Sequence, residues 1–199
     1  MTFGNLFMAA LSDILGSQKE AIAQTHKILR IKGTIIPVSI TDTNLFATYE
    51  DGSTLKEEHL IDEPPHDGRL KITNESLRPA AVANPEAIRA IQEADLIVLG
   101  PGDLYTSLLP NFLVNGIRQA LAKTRATSVY IINLMTKYGQ TYGFTAMDHV
   151  RKVEQYIGHI DTVIINSSPF PSNALTLYAK YHEQPVKDDI SSGIHTTIR

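Results

Sequence analysis

Residues 100–107, with the sequence GPGDLYTS, gather several chemically useful residue types at one strand-to-helix turn. The two glycines permit a close backbone approach, and Pro101 stiffens the turn between them. Backbone N–H groups at the start of a following helix attract anions, and Thr106 and Ser107 add hydroxyl donors. This combination is typical of a loop that holds a phosphate or diphosphate. The same residues also fit a tight turn in which Asp103 only caps a helix.

Other phosphate-binding and nucleophile motifs are missing from the sequence. The loop lacks the Gly-Lys-Ser/Thr ending of a Walker A motif, and no third glycine completes Gly-x-Gly-x-x-Gly. There is no Gly-x-Ser-x-Gly nucleophile elbow. The histidines have neither HxxxH nor HxH spacing, which argues against a histidine-rich zinc site. The sequence therefore identifies no catalytic residue and no protein-only metal site.

A second polar loop, NLMTKYGQTYGFT, runs from Asn133 through Thr136 to Thr145, and two glycines keep its backbone open. Thr145 then caps a helix with Asp148 and His149 in its first turn. An acid there is favoured for capping alone. A catalytic or metal-binding pair would need both side chains to face one site, yet neighbouring helical residues point about 100° apart. We therefore expect a structural role for at least one of the two.

The first residues form a third unusual stretch, since Phe3, Gly4 and Asn5 directly precede an apolar helical stripe. Glycine and asparagine at a helix start could bind an anion. The alternative is that Asn5 or Thr2 caps the helix. The residues alone slightly favour the cap.

Strands and helices alternate from Asn84 onward, which indicates a Rossmann-like α/β fold with a parallel sheet covered by helices on both faces. The predicted strands are 95–99, 128–134 and 162–166. The predicted helices are 86–93, 111–123, 145–157 and 172–181. Ligands of such sheets bind outside the carboxyl ends of the strands. The loops after the three strands, including NSSPFPSN from residue 166, should therefore share one rim.

The first half of the chain is less regular. Helices are predicted over 4–15 and from a Ser17 cap to about Ile31. Residues 34–40 should form an edge strand interrupted by Pro37. A hairpin turns at Asp51 and Gly52, and one further strand is expected near 70–73. We assign 1–199 to a single domain with a hairpin and irregular insertion at 33–80.

Composition narrows the class of protein. The 199 residues are 43% hydrophobic and 20% charged, enough for a packed core. A net charge of -3 argues against nucleic acid as the main partner. There is no cysteine, and no apolar run is long enough to span a bilayer. The first residues lack a signal-peptide pattern. These features predict a soluble protein of the cytoplasm.

Three stretches together resemble a known family: FGNLFMAAL from residue 3, ADLIVLGPGDLYTSLLPNFLVNGI from residue 94 and INLMTKYGQTYGFTAMDHV from residue 132. They are similar to the gluconeogenesis factor (YvcK-type) family of the CofD-like superfamily, over residues 3 to about 181. The resemblance implies a Rossmann-like fold, a cytoplasmic location and binding of a nucleotide-sugar such as UDP-N-acetylglucosamine. It also implies a role in cell shape and in peptidoglycan precursor supply on gluconeogenic carbon sources.

The transferase branch of this superfamily implies an alternative function. That branch moves a phospholactyl group from a nucleotide diphosphate donor to a deazaflavin with Mg²⁺, and Asp103 or Asp148 would hold the metal here. If the chain is instead a regulatory protein that binds a nucleotide-sugar, no catalysed reaction is expected and no cofactor is assigned. The expected ligand-binding residues for both alternatives are Gly4, Asn5, Gly100, Pro101, Gly102, Asp103, Tyr105, Thr106, Ser107, Asn133, Thr136 and Asp148.

The chain also departs from the family pattern. Members begin with a strand and a Gly-Gly-Gly-Thr-Gly loop before the Phe-Gly-Asn motif, so this chain resembles their C-terminal part. We therefore expect the chain to carry half of a nucleotide site and to have an exposed sheet edge that allows homo-oligomers. A third hypothesis is that the chain is truncated and folds or binds a ligand only with a partner. Asp103 stands where serine is usual, and Gln140 where glutamate is common. The extra negative charge at 103 should oppose a neighbouring phosphate unless a cation bridges the two.

Overall fold

Two helices, α1 (Phe3–Leu15) and α2 (Gln18–Ile28), open the computed structural model, which describes residues 3–191 and the backbone of residues 196–198. The chain turns between them at Gly16, whose φ of +63° suits glycine. The Ser17 hydroxyl accepts a hydrogen bond from the Glu20 amide at 3.3 Å, as the capping pattern predicts. Helix α2 ends at Ile28, one turn before the predicted Ile31.

A three-stranded antiparallel sheet follows in the order β2-β1-β3. Its strands are β1 (Asn44–Tyr49), β2 (Thr54–Lys56) and β3 (Ile72–Arg78). The predicted hairpin is confirmed, because Asp51 and Gly52 lie at the turn between β1 and β2. The predicted short strand near 70–73 extends to residue 78 and pairs along the whole of β1.

The predicted edge strand at 34–40 is wrong. These residues have no strand partner, and the backbone oxygens of Pro37 and Val38 instead accept hydrogen bonds from the Asn84 side chain and amide. Pro37 has no N–H to donate to a neighbouring strand. The carbonyl groups of this segment instead hold Asn84, the residue that caps helix α4 (Pro85–Glu93).

The second sheet is parallel, with the order β4-β5-β6-β7. Its strands are β4 (Leu96–Leu99), β5 (Thr127–Ile131), β6 (Thr162–Ile164) and β7 (Thr196–Ile198). This confirms the predicted α/β class and the three predicted parallel strands, of which β5 and β6 end earlier than expected. The remaining helices are α3 (Glu58–Asp62), α5 (Leu109–Leu113), α6 (Ile117–Leu121), α7 (Ala146–Ile157) and α8 (Ser172–Ala179). Among the described residues, no helix is long and apolar enough to cross a membrane.

The helix predicted over 111–123 is divided in the structure. A π-helical turn, Leu104–Leu108, leads into α5, and the chain leaves helical geometry at Val114 before α6 begins. Asn115 exchanges backbone hydrogen bonds with Ala81 and Ala83, both at 2.9 Å. Gly116 has a φ of +106°, and a Cβ there would lie 3.3 Å from the Ala83 Cβ. Contacts with a distant segment therefore override local helix propensity.

The parallel sheet is covered on one face only among the described residues, which corrects the expectation of two covered faces. Leu99, Tyr130 and Val163 are buried, whereas Leu96 and Val98 are 55% and 52% exposed. Strands β4, β5, β6 and β7 are added in one direction, and parallel crossovers are nearly always right-handed. Helices in such connections fall on the same side of a sheet, so they leave the other side bare.

Candidate functional site

The loops after β4, β5 and β6 lie along one edge of the parallel sheet, as the sequence predicts, because these strands are parallel and adjacent. A cleft of about 350 Å³ opens over the ends of β5 and β6, and its walls include Leu134, Asn166 and Ser168. Among the described residues, this edge holds the largest share of the residues expected to bind a ligand. We take it as the candidate site and refer to it as the rim.

The two glycines of the first loop have different structural requirements. Gly100 has a φ of +73°, and a Cβ there would come 3.0 Å from the Ile131 carbonyl oxygen. The fold therefore demands glycine at 100. At Gly102 φ is not in the left-handed region, and a Cβ would meet only the Ser107 Cβ at an ordinary 3.5 Å. Packing within the chain gives no reason for glycine at 102.

The π-helical turn uses several of the predicted donors internally. The amides of Ser107 and Leu108 both donate to the Asp103 carbonyl oxygen, at 2.9 and 3.0 Å. The Tyr105 amide donates to the Gln140 Oε1 at 3.1 Å, and the Tyr105 side chain is buried. Asp103 therefore closes the turn through its backbone and leaves its carboxyl group for other contacts. The Tyr105 amide is not open to a ligand in this arrangement.

Gln140 joins three segments of the site. Besides the bond from Tyr105, its Nε2 donates to the Thr106 hydroxyl at 3.2 Å and to the Asp62 Oδ1 at 2.9 Å. Gln140 and Thr106 are both buried. An amide can donate and accept at once, which a carboxylate cannot. The glutamine at this position thus fixes the first loop, the second loop and α3 together.

The second loop is held against the segment after α3. Gly139 donates its amide to the Gly68 carbonyl at 2.9 Å, and a Cβ on Gly139 would lie 2.6 Å from the Pro64 side chain. The Tyr138 hydroxyl donates to the Asp67 carboxylate at 3.1 Å. These contacts bring the segment around α3 to the rim and with it Asp62, a residue that the sequence analysis did not select.

The loops of the rim carry a small charged cluster made of Asp62, Asp103 and Lys137, with Glu183 nearby. Lys137 Nζ is 3.4 Å from Asp62 Oδ1. Burial raises the pKa of Asp103, the Lys137 cation opposes that rise, and the Asp62 carboxyl adds to it. Burial lowers the pKa of Lys137, but Asp62, Asp103 and Glu183 together hold it above its ordinary value. The cluster therefore keeps a cation among carboxyl groups that repel one another.

The donor set of this cluster suits Mg²⁺ only in part. Among the described residues, no three histidine or carboxylate side chains are grouped to hold a metal ion. Mg²⁺ is commonly bound by one or two carboxylates, with substrate phosphates and water completing its octahedron. Asp62 and Asp103 supply that number. A metal here would need a phosphate-bearing ligand to complete its coordination.

Two other predicted residues differ in their surroundings. Thr136 is buried, its amide donates to the Gln184 carbonyl at 2.8 Å, and its hydroxyl accepts from the Gln184 amide at 3.1 Å. These contacts tie the second loop to the segment after α8. Asn133 is partly exposed at the end of β5. Of the two, only Asn133 is partly exposed.

Asp148 and His149 have structural contacts, as expected for at least one of them. The Asp148 Oδ2 accepts from the Thr145 amide and hydroxyl, both at 3.0 Å, in a reciprocal capping box. His149 is fully buried, its Nδ1 lies 2.8 Å from the Thr145 carbonyl oxygen, and burial lowers its pKa. The helix turns these two side chains in different directions, so they do not form a pair.

Gly4 and Asn5 lie in the first turn of α1 and are exposed. Helix α1 packs against α2, and Thr25 of α2 donates its hydroxyl to the Met8 sulfur at 3.1 Å. The structure thus places these two predicted residues on a helix pair, separate in the chain from the loops that form the rim.

Sequence reasoning missed Asp62 and gave Gln140 and Lys137 no role in the site. One signal was present, since Gln140 was recognised as an unusual residue in an otherwise familiar motif. Asp62 carries no signal of its own, because it meets Gln140 across 78 residues of chain.

Comparisons with known proteins agree with this architecture. The family model described as 2-phospho-L-lactate transferase CofD matches residues 1–198. A putative gluconeogenesis factor of Aquifex aeolicus is 44% identical over 94% of this chain and 58% of its own length. The gluconeogenesis factor of Bacillus subtilis is 39% identical over 95% of this chain and 59% of its own length.

The fold is also found in a solved structure. A crystal structure of a UPF0052 family protein from Bacillus halodurans matches with a TM-score of 0.88 and 33% identity. It covers 100% of this chain, which spans 65% of that one. The chain thus spans about three-fifths of the length of these two gluconeogenesis factors.

Proposed function

The chain belongs to the family described as 2-phospho-L-lactate transferase CofD, and from that membership we propose that it binds a nucleotide-sugar at the rim. The ligand class is a nucleoside diphosphate sugar resembling UDP-N-acetylglucosamine. In this proposal the protein is a regulator of the gluconeogenesis factor type, acting in the cytoplasm on cell shape and cell-wall precursor supply during growth on gluconeogenic carbon sources. The relatives named gluconeogenesis factor support this choice within the family.

The observation that carries the proposal is the glycine at 102. Its backbone angles and its neighbours would both accept a side chain, so the fold does not explain why none is present. A diphosphate approaching the backbone closely at this position gives a reason for the missing Cβ. Gly100 and Pro101 would shape the turn that presents this backbone at the carboxyl end of β4.

Charge at the rim also fits a diphosphate once Lys137 is included. Lys137 lies at the Asp62 and Asp103 carboxyl groups, and its positive charge would offset the repulsion between Asp103 and a phosphate. Asn133 and Ser107 would add polar contacts to the sugar or phosphate. Thr106 and Thr136 would act indirectly, because their hydroxyls already hold the loops in place.

A magnesium-dependent transferase is the second candidate, and the pairing of Asp62 with Asp103 favours it. Asp62 and Asp103 would hold Mg²⁺, which would supply charge neutralisation on the diphosphate of a nucleotide donor. Lys137 would contact the same phosphates, and Gln140 would keep Asp62 and the π-helical turn in position. In this candidate the oxygen of an acceptor hydroxyl would attack the phosphorus that carries the lactyl group. The phosphoanhydride bond of the nucleotide diphosphate donor would break, a nucleoside monophosphate would leave, and the hydroxyl proton would pass to solvent.

Titration calorimetry with UDP-N-acetylglucosamine on the wild type and on Gly102→Ala tests the proposal. We expect the variant to fold, because the new Cβ makes only an ordinary contact, and to bind at least about tenfold more weakly, about 1.4 kcal/mol. Ala90→Val is the matched control, since it adds carbon at an exposed position of α4. It should bind as the wild type does.

Two results would overturn the proposal: no binding of the sugar nucleotide by the wild type, or equal binding by Gly102→Ala. The transferase candidate is separated by repeating the titration with and without MgCl₂ and with Asp62→Asn. Binding that needs Mg²⁺ and Asp62, together with turnover of a nucleotide diphosphate donor, would select the transferase. Binding that is independent of both would select the regulator.

A further inference from the structure

A second cavity, of about 630 Å³, is lined in part by Tyr105 of the π-helical turn. Its walls come from the start of β3, the second loop and α7. Four of its side chains are cationic and one is anionic, in a chain whose net charge is -3. The charged residues are Arg69, Lys71, Arg151, Lys152 and Asp148. We call this cavity the basic pocket.

Most of the cations in the basic pocket have no anionic partner. Arg69 is paired with Asp67, but no ion pair forms between Lys71, Arg151 or Lys152 and any residue that the structure describes. The Asp148 Oδ2 already accepts two hydrogen bonds from Thr145 in the capping box of α7. A concave surface with unpaired cations raises the local concentration of anions.

Lys152 is the most telling of these cations, because it is partly buried and still unpaired. Its Nζ lies 5.3 Å from the centre of the Tyr105 ring, and burial lowers its pKa. Glu75 on β3 acts on Lys152 electrostatically, but Glu75 is itself 5% exposed and neither of its carboxyl oxygens has a hydrogen-bond partner. Burial raises the pKa of Glu75 to about 8, so it is mostly neutral at pH 7.

A half-buried ammonium group without a counter-charge is costly, and an incoming anion would lower that cost. No salt bridge joins Lys152 to Glu75, so the ammonium group has no direct counter-ion among the described residues. Beside the cations, Tyr142 and Phe144 offer aromatic surface at the edge of the pocket. The volume falls in the usual range for small-molecule sites and is small for a macromolecular partner.

We propose that the basic pocket binds a small phosphomonoester with a planar organic group, distinct from any ligand of the rim. Arg151 and Lys152 contact the phosphate, and Tyr142 and Phe144 pack on the planar group. The Tyr105 ring lines the basic pocket, while the Tyr105 amide donates to Gln140. The inference does not depend on the rim binding a nucleotide.

Titration of the ¹⁵N-labelled 199-residue chain with phenyl phosphate, followed by amide chemical shifts, tests this inference. We expect saturable shifts at residues 142–144 and 151–155, with weaker binding of inorganic phosphate, which lacks the ring. Arg151→Gln should reduce the affinity about tenfold, because one charge-assisted contact is lost. Arg151 is exposed, so this variant should fold.

Arg89→Gln is the matched control, an exposed arginine on α4 outside the pocket, and it should bind phenyl phosphate as the wild type does. A second variant, Lys152→Gln, should lose affinity to a similar degree while retaining a dispersed spectrum. The inference is overturned if no shift saturates, if Arg151→Gln binds as well as the wild type, or if the shifts fall only on residues 100–107. That last result would assign phosphate binding to the rim alone.

Discussion

Single buried polar atoms mark the least expected features of this chain. The carboxyl oxygens of Glu75, the Tyr49 hydroxyl and the His149 Nε2 are buried without a hydrogen-bond partner. Glu75 and Tyr49 lie on neighbouring strands of the small sheet, and burial followed by the Glu75 charge raises the pKa of Tyr49 to about 12. A charged form of either group would be expensive here, so both are held neutral near pH 7.

Replacing Glu75 by glutamine should therefore change how stability depends on pH. The folded-state pKa of about 8 exceeds the ordinary glutamate value of 4.5, so the folded state binds the proton more tightly than the unfolded state. The stabilisation is complete below the lower value and is lost as pH rises towards the upper one, by at most about 1.4 kcal/mol per pH unit. Between pH 5 and 8, the wild type should lose free energy of unfolding relative to Glu75→Gln.

Urea unfolding of both proteins at pH 5, 6, 7 and 8 measures this difference. Glu93→Gln, at an exposed position in the last turn of α4, serves as the control and should follow the wild-type profile. Parallel pH profiles for Glu75→Gln and the wild type would show that the buried carboxyl group is not held neutral.

Among the elements, α7 shows how local sequence can fix a helix start. Thr145 and Asp148 exchange three hydrogen bonds at its first turn. The same spacing allowed the cap to be predicted from sequence, because every partner lies within four residues. The cap already accounts for the Asp148 carboxylate, so the predicted contact of Asp148 with a rim ligand is not needed to explain this residue.

The capping role predicts a particular pattern of stability losses. Asp148→Ala and Thr145→Ala should each lower the free energy of unfolding by about 1 kcal/mol. The double variant should lose little more than one of them, since both remove the same contacts. Neither should change sugar-nucleotide affinity at the rim.

Chemical denaturation of the two single variants and the double variant gives this cycle, and calorimetry gives the affinity. Fully additive losses would argue against a shared capping box. A selective loss of rim binding by Asp148→Ala would restore Asp148 to the ligand site.

Elements whose ends depend on distant contacts were predicted less well. The break between α5 and α6 results from backbone hydrogen bonds of Asn115 to residues 81 and 83. The conformation of residues 34–40 is set by their hydrogen bonds to the start of α4. A helical periodicity cannot report such contacts, because they involve residues outside the window that defines it. Periodicity and capping patterns therefore predict that most elements exist, while contacts between distant segments determine where several of them begin and end.

On the scale of the whole molecule, the parallel sheet has one packed and one bare face among the described residues. Leu99, Tyr130 and Val163 lie in the main core, while the Leu96 and Val98 side chains point the other way. Alternation along β4 makes this possible within four residues. The apolar runs that predicted two covered faces report β propensity as well as burial.

This asymmetry predicts that substitutions at neighbouring positions of β4 have very different effects on the free energy of unfolding. The double variant Leu96→Thr/Val98→Thr should keep the free energy of unfolding within about 1 kcal/mol of the wild type, because both side chains are half exposed and threonine favours strands. Leu99→Ala should cost about 2–5 kcal/mol, because it leaves a cavity in the core.

Thermal and urea unfolding of the two variants tests the asymmetry, with binding of an apolar fluorescent dye as a second readout. The double variant should bind less dye than the wild type, since it removes exposed apolar surface. Similar large losses of stability in both variants would show that the second face is packed.

The amino-acid sequence by itself determined the α/β class, the three parallel strands, the helix caps at Ser17 and Thr145 and the family, which the match over residues 1–198 confirms. These features rest on patterns between near neighbours or on long motifs that are continuous in the sequence. The tertiary structure alone decided that Asp62 joins Asp103 and Lys137, that Gln140 holds the Tyr105 amide, and that Glu75 is buried behind Lys152. Those groups meet only when distant segments pack, and burial then sets their charge, which no local pattern specifies.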